Sequence, residues 1–227
     1  MCGRTTLAQP NAEIARIFRL NEVPELELRY NIAPTQPIAV VRNDRGKRRL
    51  DLVTWGLIPA SSTGPRAGAK LINARVETVA TKRPFAEAFR GRRCLVVVDG
   101  FYEWQRQGKS KQAHHIHLPG GKAFGLAGLW DRWTSKSGEV IESCTIITRE
   151  SVGGMRELHD RMPVILEEVD HDAWLDPALV DPAVIDSLLK KPPPTLIVQP
   201  VSSFVNSAVN EGPACLLPDG GTNLSLF

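Results

Sequence analysis

Alternating apolar and polar residues mark the first strands of the chain. Two such stretches, 38–42 and 50–55, stand on either side of the turn-forming residues 43–46, which predicts a β-hairpin with its tip at that turn. The unbroken apolar run 94–98 is typical of a buried strand and ends at Asp99-Gly100. Further strands are predicted at 114–118, 123–127, 144–148 and 196–201.

Helical periodicity is confined to a few short segments. Asn11 is expected to cap a helix with three apolar residues on one face: Ile14, Ile17 and Phe18. Three further segments fit helices: 84–89, 168–175 and 182–189. Prolines 192–194 are typical of a stiff connector before the last strand. Because strands follow one another through short turns without regular alternation with helices, the pattern favours an α+β fold with mostly antiparallel sheets.

Length and composition indicate one globular unit. The 227 residues can bury a sizeable core, and we expect a single domain across 1–227. The stretch 108–111 fits a hairpin tip better than a linker between two domains. Apolar residues make up 42% and charged residues 23%, which is ordinary for a globular protein and excludes a disordered chain or a fibrous repeat.

Neither a membrane span nor a disulfide framework is expected. No run reaches the roughly 18 apolar residues of a membrane helix, and the N-terminus lacks a signal-peptide pattern, so we expect a cytoplasmic location. The cysteines are spread singly, without a CxxC pair or metal-ligand spacing: Cys2, Cys94, Cys144 and Cys215. We therefore expect no metal site, and at least one thiol free for chemistry.

Basic residues concentrate between Arg42 and Lys111, where 16 Lys or Arg stand against 6 Asp or Glu. This local balance of +10, in a chain with a net charge of +3, leaves −7 for the remainder. The asymmetry suggests a face that binds a polyanion, because neutralised phosphates release condensed counterions. Solvated hairpins and helix faces would explain the same charges.

Cys2 is the most informative residue of the chain. Removal of Met1 would leave a cysteine with a free α-amine beside its thiol, a 1,2-aminothiol. The reference pKa values are about 7.7–8.0 for the amine and about 8.5 for the thiol, so each has a reactive fraction near neutral pH. A cysteine at position 2 can also be an accident of sequence. Gly3 and Arg4 favour the chemical interpretation, because glycine permits close approach and a guanidinium suits phosphate.

Seven short strings in this order carry a resemblance to a known family: Cys2-Gly3-Arg4, 30–35, Trp55-Gly56-Leu57, 72–77, 99–104, 159–163 and 201–206. With them the sequence resembles the SOS response-associated peptidase (SRAP) family, the abasic-site-crosslinking proteins related to the human 5-hydroxymethylcytosine-binding protein. The resemblance covers nearly the whole chain. It implies an SRAP-like fold, in which the antiparallel sheets form an open barrel-like core with a few peripheral helices.

The resemblance also implies which residues act. The implied catalytic set is Cys2, Asn73, Glu103 and His159. The implied DNA-binding set is Gly3, Arg4, Pro34, Arg75 and Arg161. No cofactor is implied. The implied partner is single-stranded DNA containing abasic sites, with replication-fork components as further candidates. The protein is expected to act as a monomer in the response to DNA damage. Its expected location is the cytoplasm or, in a bacterium, the nucleoid.

Each implied catalytic residue also has an ordinary structural explanation. Asn73 could form a turn, Glu103 could pair with Arg106 on the surface, and His159 could be a core histidine. The sequence also departs from the family pattern in two places. Residues 59–62 hold no aromatic where many members have one, which puts a base-stacking platform there in doubt. Glu150-Ser151 stands where an Ala-Asn pair is expected.

The implied mechanism begins on the ring-opened aldehyde of an abasic deoxyribose. The amine of Cys2 would form a Schiff base, and the thiol would close it to a thiazolidine, aided by the intramolecular geometry. His159 and Glu103 would supply acid and base catalysis, and Asn73 would orient the sugar or the Cys2 backbone. The peptidase activity in the family name implies release of Met1, although a host aminopeptidase could do the same.

Two other functions fit parts of the sequence. An N-terminal-nucleophile amidohydrolase also begins with Met-Cys-Gly, and ammonia release from glutamine would identify it. A non-covalent reader of single-stranded DNA or modified bases would use only the basic face. Its binding would be salt-sensitive and would vanish on denaturation.

Overall fold

The computed structural model describes residues 2–108 and 110–218. The strands are β1 Thr5–Leu7, β2 Arg29–Ile32, β3 Pro37–Asp44, β4 Lys47–Trp55, β5 Asn73–Arg75, β6 Arg93–Val98, β7 Gly100–Gln107, β8 Ser110–His117, β9 Phe124–Thr134, β10 Val140–Glu150, β11 Arg161–Pro163, β12 Ile165–Leu166 and β13 Ile197–Val201. The α-helices are α1 Asn11–Phe18, α2 Arg83–Gly91, α3 Met155–Leu158, α4 His171–Leu175 and α5 Pro182–Lys190.

Five strands close into a barrel. β4, β3, β6, β9 and β10 pair in that order, and β10 then pairs in parallel with β4, at Ser143↔Thr54 and Cys144↔Trp55. Every residue of β6 is buried, because it lies between β3 and β9 and faces the core or a covering helix. The predicted α+β class with mostly antiparallel sheets is therefore confirmed, and the barrel-like core is a closed ring.

The predicted first hairpin is confirmed in register and turn. β3 and β4 pair from Pro37↔Thr54 to Asp44↔Lys47, with Arg45 and Gly46 at the tip. Both tip residues have positive φ, 53° and 85°, as a two-residue turn between twisted antiparallel strands requires. The amide N–H of Gly46 donates to Asn43 Oδ1 at 2.7 Å.

The second half of β10 gathers residues that the sequence keeps far apart. Past its pairing with β4, β10 runs parallel to β5, at Ile146↔Asn73 and Thr148↔Arg75. It also pairs antiparallel with β11, at Glu150↔Arg161. Two of the sequence strings, 72–77 and 159–163, therefore meet at this end of the barrel.

A second antiparallel sheet, with strand order β13-β8-β7-β1-β2, carries the N-terminal strand. β1 lies between β2 and β7, and the predicted strand pair around 108–111 is the β7–β8 hairpin, which closes at Gln107↔Ser110. Lys109 of that predicted tip lies outside the described residues.

The predicted helices are confirmed, with one error of detail. Ile14, Ile17 and Phe18 are the buried face of α1, but Pro10 rather than Asn11 is its N-cap. Pro10 has extended backbone angles and its carbonyl accepts from Glu13 and Ile14, whereas the Asn11 amide donates to Pro24 O at 3.1 Å. The predicted helix 168–175 begins as a 3-10 turn at Glu168–Asp170 and continues as α4. Within the described residues, no helix has the length and apolarity needed to cross a membrane.

Candidate active site at the N-terminal strand

The pairing of β1 with β7 fixes the position of Cys2. Thr5 lies opposite Phe101, and the amide N–H of Tyr102 donates to Arg4 O at 2.9 Å, which extends the contact toward the N-terminus. Cys2 is therefore held beside the segment that carries Glu103. Its side chain is fully buried, and this burial raises the pKa of the Cys2 thiol, with the negative charge of Glu103 adding to the effect.

Asn73 holds the backbone of Cys2. Its side-chain Nδ2 donates to Cys2 O at 2.8 Å. The neighbouring Ile72 O accepts from Trp55 Nε1 at 3.0 Å, so the buried indole fixes the start of β5. Asn73 Oδ1 is buried and has no hydrogen-bond partner within 2–108 and 110–218, so it is available to accept from a ligand or from the freed amine of Cys2.

Glu103 is a buried carboxyl group on β7. Only 2% of the residue is exposed. Burial raises the pKa of Glu103 to about 7, and the nearby Asp160 contributes in the same direction. At neutral pH the group therefore exists in both protonation states, which is what a residue that both accepts and donates protons needs.

His159 follows the short helix α3, which is anchored on β7 by Gln105 Nε2 donating to Glu157 O at 3.3 Å. Two groups approach His159 Nδ1: Asp160 Oδ1 at 2.6 Å and the Arg161 N–H at 3.0 Å. The carboxylate requires a proton on Nδ1, whereas the N–H requires a lone pair there. Burial lowers the pKa of His159, so near neutral pH the imidazole is mainly uncharged.

The structure brings together all four residues of the expected catalytic set. Asn73 contacts Cys2 directly, Glu103 acts electrostatically on Cys2, and Asp160, which pairs with His159, is close enough to Glu103 to raise the pKa of that carboxyl group. The turn and surface-pair explanations fit less well, because Asn73 lies in a strand and Glu103 is buried.

The three expected phosphate-binding arginines differ in their surroundings. Arg4 points inward and donates to Asn31 Oδ1 at 2.5 Å and to Val205 O at 2.9 Å. Arg161 is buried, with Glu77 at 2.7 and 3.0 Å and Thr148 O at 2.6 Å. Arg75 is exposed and has no ion pair among the residues the structure covers. Arg75 is therefore the arginine with its donors most available.

Gly3 and Pro34 are half-buried beside this region. The string around Pro34 has a structural role that the sequence did not reveal, because Asn31 is fully buried and clamps the C-terminal segment. Its Nδ2 donates to Ser207 O at 2.9 Å and to Asn210 O at 2.7 Å, while its Oδ1 accepts from Arg4. Residues near both ends of the described chain are thus fastened together next to Cys2.

Part of the basic stretch is neutralised within the molecule. Arg42 is buried between Asp51 and Glu142, Arg48 binds Asp172, and Arg92 lies against Glu87 and Asp131. Arg93 is used in packing, because it donates to five backbone carbonyls, among them Trp174 O and Leu179 O. The charge asymmetry of the sequence is therefore partly a feature of barrel packing, and the rest of it remains for a polyanion.

Thr6, Asp99 and His115 form a second buried polar cluster under β1. Thr6 Oγ1 donates to Asp99 Oδ1 at 2.5 Å and lies 3.1 Å from His115 Nε2. The Ala8 N–H donates to Asp99 Oδ2 at 2.6 Å. Burial lowers the pKa of His115 to about 3, so this ring is neutral and serves packing and hydrogen bonding.

Gly100 is required by this cluster. A Cβ at position 100 would lie 2.0 Å from His115 Nε2, and Gly100 is also the partner of Thr6 in the β1–β7 register. We expect Gly100→Ala to displace the ring and lower the free energy of unfolding by about 1–3 kcal/mol or more. Gly64→Ala is the matched control, because its φ of −177° suits alanine and no atom lies within 4 Å of its Cβ. Equal urea midpoints for the two variants would contradict this packing argument.

Comparisons with known proteins agree with the fold and show the family. The model of the family described as SOS response associated peptidase (SRAP) matches residues 1–208. The chain is 38% identical over 218 residues to the abasic site processing protein YoqW of Bacillus subtilis (strain 168), covering 94% of this chain and 97% of YoqW. It is 32% identical over 261 residues to the abasic site processing protein HMCES of Xenopus tropicalis, covering 95% of this chain and 78% of HMCES.

Solved structures show the same fold. A protein from Bacteroides thetaiotaomicron superposes with a TM-score of 0.85 at 24% identity, over 96% of this chain and 99% of that one. A phage-related protein from Bordetella bronchiseptica gives a TM-score of 0.73 at 28% identity, over 96% and 100%.

The chain thus belongs to the SOS response associated peptidase family. Within that family its relatives at 30–39% identity carry the name abasic site processing protein, which is consistent with the processing of damaged DNA.

Proposed function

We propose that the protein binds single-stranded DNA and links itself covalently to abasic sites through a thiazolidine at Cys2, which shields the lesion. The observation that carries the proposal is the arrangement of three groups around residue 2: Asn73 on its carbonyl, Glu103 beside it, and the His159–Asp160 pair, which is close enough to Glu103 for Asp160 to raise the pKa of that carboxyl group. This arrangement supports acid–base chemistry at an N-terminal aminothiol. The activity needs only the chain's own side chains, acting as one domain.

The proposed reaction releases one water. The free α-amine of Cys2 adds to the C1′ aldehyde of the opened deoxyribose and gives a carbinolamine. Loss of water leaves an imine. The thiol then adds across the C=N bond, sulfur to carbon and proton to nitrogen, and closes the five-membered ring. Because thiol and imine belong to one residue, ring closure has the large effective molarity of an intramolecular reaction.

The protonation states near neutral pH suit these steps. The Glu103 carboxylate takes a proton from the ammonium of Cys2, and the protonated carboxyl returns one to the departing carbinolamine hydroxyl, since its pKa is about 7. The small protonated fraction of His159 protonates the ring oxygen when the sugar opens, and Asp160, which then accepts from Nδ1, stabilises that charged form. Asn73 Oδ1 orients the amine or a sugar hydroxyl.

We also assign the release of Met1 to this site. Glu103 takes the proton of the Cys2 thiol, and the sulfur attacks the Met1 carbonyl carbon. The C–N bond then breaks as Glu103 returns the proton to the Cys2 nitrogen, which moves the acyl group from nitrogen to sulfur. Water then hydrolyses the thioester, so that methionine leaves and the aminothiol is free. This step would account for a peptidase activity without a separate site.

Few groups are available to bind the DNA strand. Arg75 offers free donors for a phosphate. Trp104, next to Glu103, is half-buried; its Nε1 donates to Asn206 Oδ1 at 2.7 Å and the Arg4 guanidinium lies 5.6 Å from its ring centre. A fixed and partly open indole can stack on a base beside the lesion, in place of the aromatic missing from 59–62.

A gel under denaturing conditions tests the proposed function. With an abasic single strand we expect an adduct that survives heating. The yield of this adduct should be much lower with the same abasic strand in a duplex, and no adduct should form with an intact single strand. Duplex pairing would keep the sugar out of a buried site. Equal yields on single-stranded and duplex substrates at matched salt would contradict the single-strand preference.

Arg75 should contribute one phosphate contact. We expect Arg75→Ala to slow crosslinking at low salt, and to reduce the slope of log rate against log salt by about one unit, so that the two proteins converge as salt rises. Lys47→Ala is the control with the same charge change. Lys47 is exposed at the opposite end of β4 from Trp55, roughly 25 Å away at 3.3 Å per residue. An unchanged slope would remove Arg75 from the DNA site.

A further inference from the structure

We propose that Arg156 and Ser151 form a second phosphate-binding subsite, which holds a backbone phosphate of the strand next to the lesion. The inference rests on the proposed function and adds to it a residue pair outside both sets implied by the family resemblance. It is based on an open groove of about 460 Å³ lined by Arg75, Glu150, Ser151, Arg156, Asp160 and Arg161. The groove reaches Asp160 and Arg161, the two residues that follow His159 in the chain.

Arg156 is held in position for a ligand. Its Nε donates to Ser151 O at 2.9 Å, which fixes the plane of an otherwise exposed guanidinium. The two terminal nitrogens have no hydrogen-bond partner within the described part of the chain. An anchored Nε with two open terminal nitrogens presents a fork of donors that matches two phosphate oxygens.

Ser151 supplies an independent observation. The residue is only 1% exposed, and its Oγ is buried without a hydrogen-bond partner among residues 2–108 and 110–218. A buried hydroxyl without a partner is destabilising, so its retention on a groove wall indicates a ligand that completes it. Arg161 also has a buried polar atom without a partner in the described residues: its Nε is unpartnered, although its terminal nitrogens bind Glu77.

The charges around the groove nearly balance before a ligand binds. Glu77 neutralises Arg161, so Arg75 and Arg156 face the carboxylates of Glu150 and Asp160. A guanidinium combined with a serine hydroxyl is a common phosphate contact in protein–DNA complexes. Recognition of a phosphate here therefore depends on the directed donors of Arg156 and Ser151 and not on a net positive charge.

The test combines variants with neutralised phosphates. The probe is a single strand with a tetrahydrofuran abasic analogue, which has no aldehyde, and with each flanking phosphodiester replaced in turn by an uncharged methylphosphonate. We expect Arg156→Ala to weaken binding of the unmodified probe about 5–10-fold. When the methylphosphonate replaces the phosphate that Arg156 contacts, Arg156→Ala and the unaltered protein should bind the probe equally, because the modification has already removed that contact. Arg156→Lys should keep the salt slope but recover only part of the affinity.

Ser151→Ala separates binding from folding. Because it removes a buried hydroxyl that has no partner, we expect an unchanged or higher melting temperature together with about 2–5-fold weaker probe binding. A lower melting temperature with unchanged binding would overturn the role of Ser151. Methylphosphonate effects that are identical in Arg156→Ala and the unaltered protein would overturn the subsite. Since the probe cannot react, a failure of crosslinking to natural abasic strands would leave this result standing and would count only against the proposed function.

Discussion

Protein carrying Cys2→Ser is expected to form no heat-resistant adduct with an abasic single strand. Where a host aminopeptidase has removed Met1, as the intact mass shows, serine at position 2 keeps the free amine, so an imine can form and be trapped by borohydride. The hydroxyl is a far weaker nucleophile than the thiol, so the imine should not close to a stable ring and should hydrolyse on heating or in acid. The measurement is adduct yield on a denaturing gel after heating, with and without borohydride.

A blocked N-terminus is the matched control. A tag that cannot be cleaved ahead of Met1 retains the Cys2 thiol but removes the amine, and should abolish both the heat-resistant and the borohydride-trapped adduct. The state of each N-terminus is read from the intact mass of the protein. If Cys2→Ser or the blocked protein gave a heat-stable adduct, the linkage would lie elsewhere in the chain.

Glu103→Gln should slow crosslinking by about 10²-fold or more and change its pH dependence. With a pKa of about 7, the carboxylate form is lost as the pH falls, so the rate of the unaltered protein should decline below that pH. In Glu103→Gln, with Met1 verified as removed, the part of this decline that Glu103 causes should be absent, because no group titrates at position 103, and only the titration of the Cys2 amine should remain. Single-turnover rates from pH 5 to pH 9 measure both effects. An unchanged profile in the variant would assign the base to another residue.

Glu103→Gln should increase the stability of the protein although it slows crosslinking. The folded-state pKa of Glu103 lies above its ordinary value of 4.5, so folding favours the protonated form and stability is lost as pH rises toward and past about 7. Glutamine cannot ionise, so Glu103→Gln should gain stability relative to the unaltered protein between pH 4 and pH 8, by at most about 3 kcal/mol. A variant that is slower yet more stable at pH 8 has not lost activity through unfolding.

The regular elements were predictable because their patterns are local. The β3–β4 hairpin and the buried strand β6 follow from alternation, turn residues and an unbroken apolar run. α3 and β5 were missed, because four and three residues are too few to show a period. The parallel pairing of β10 with β4 and β5 was missed as well, since it joins segments some 70 to 90 residues apart without a local signal.

The candidate site was predictable in its residues and only partly in their roles. Cys2, Asn73, Glu103 and His159 came from the family resemblance, and the fold brings them together. The burial of Arg161 and the inward direction of Arg4 depend on partners such as Glu77 and Val205, which lie far away in sequence.

The intact mass of the product tests the central claim most directly. Protein is incubated with a short single strand containing one abasic site, denatured, and analysed by mass spectrometry with peptide mapping. The account predicts one product, with the mass of the protein without Met1 plus the strand minus one water, and with the linkage on the peptide that begins at Cys2. A product that retains Met1, an adduct mapped to any other residue, or the absence of any adduct on the denatured protein would contradict it.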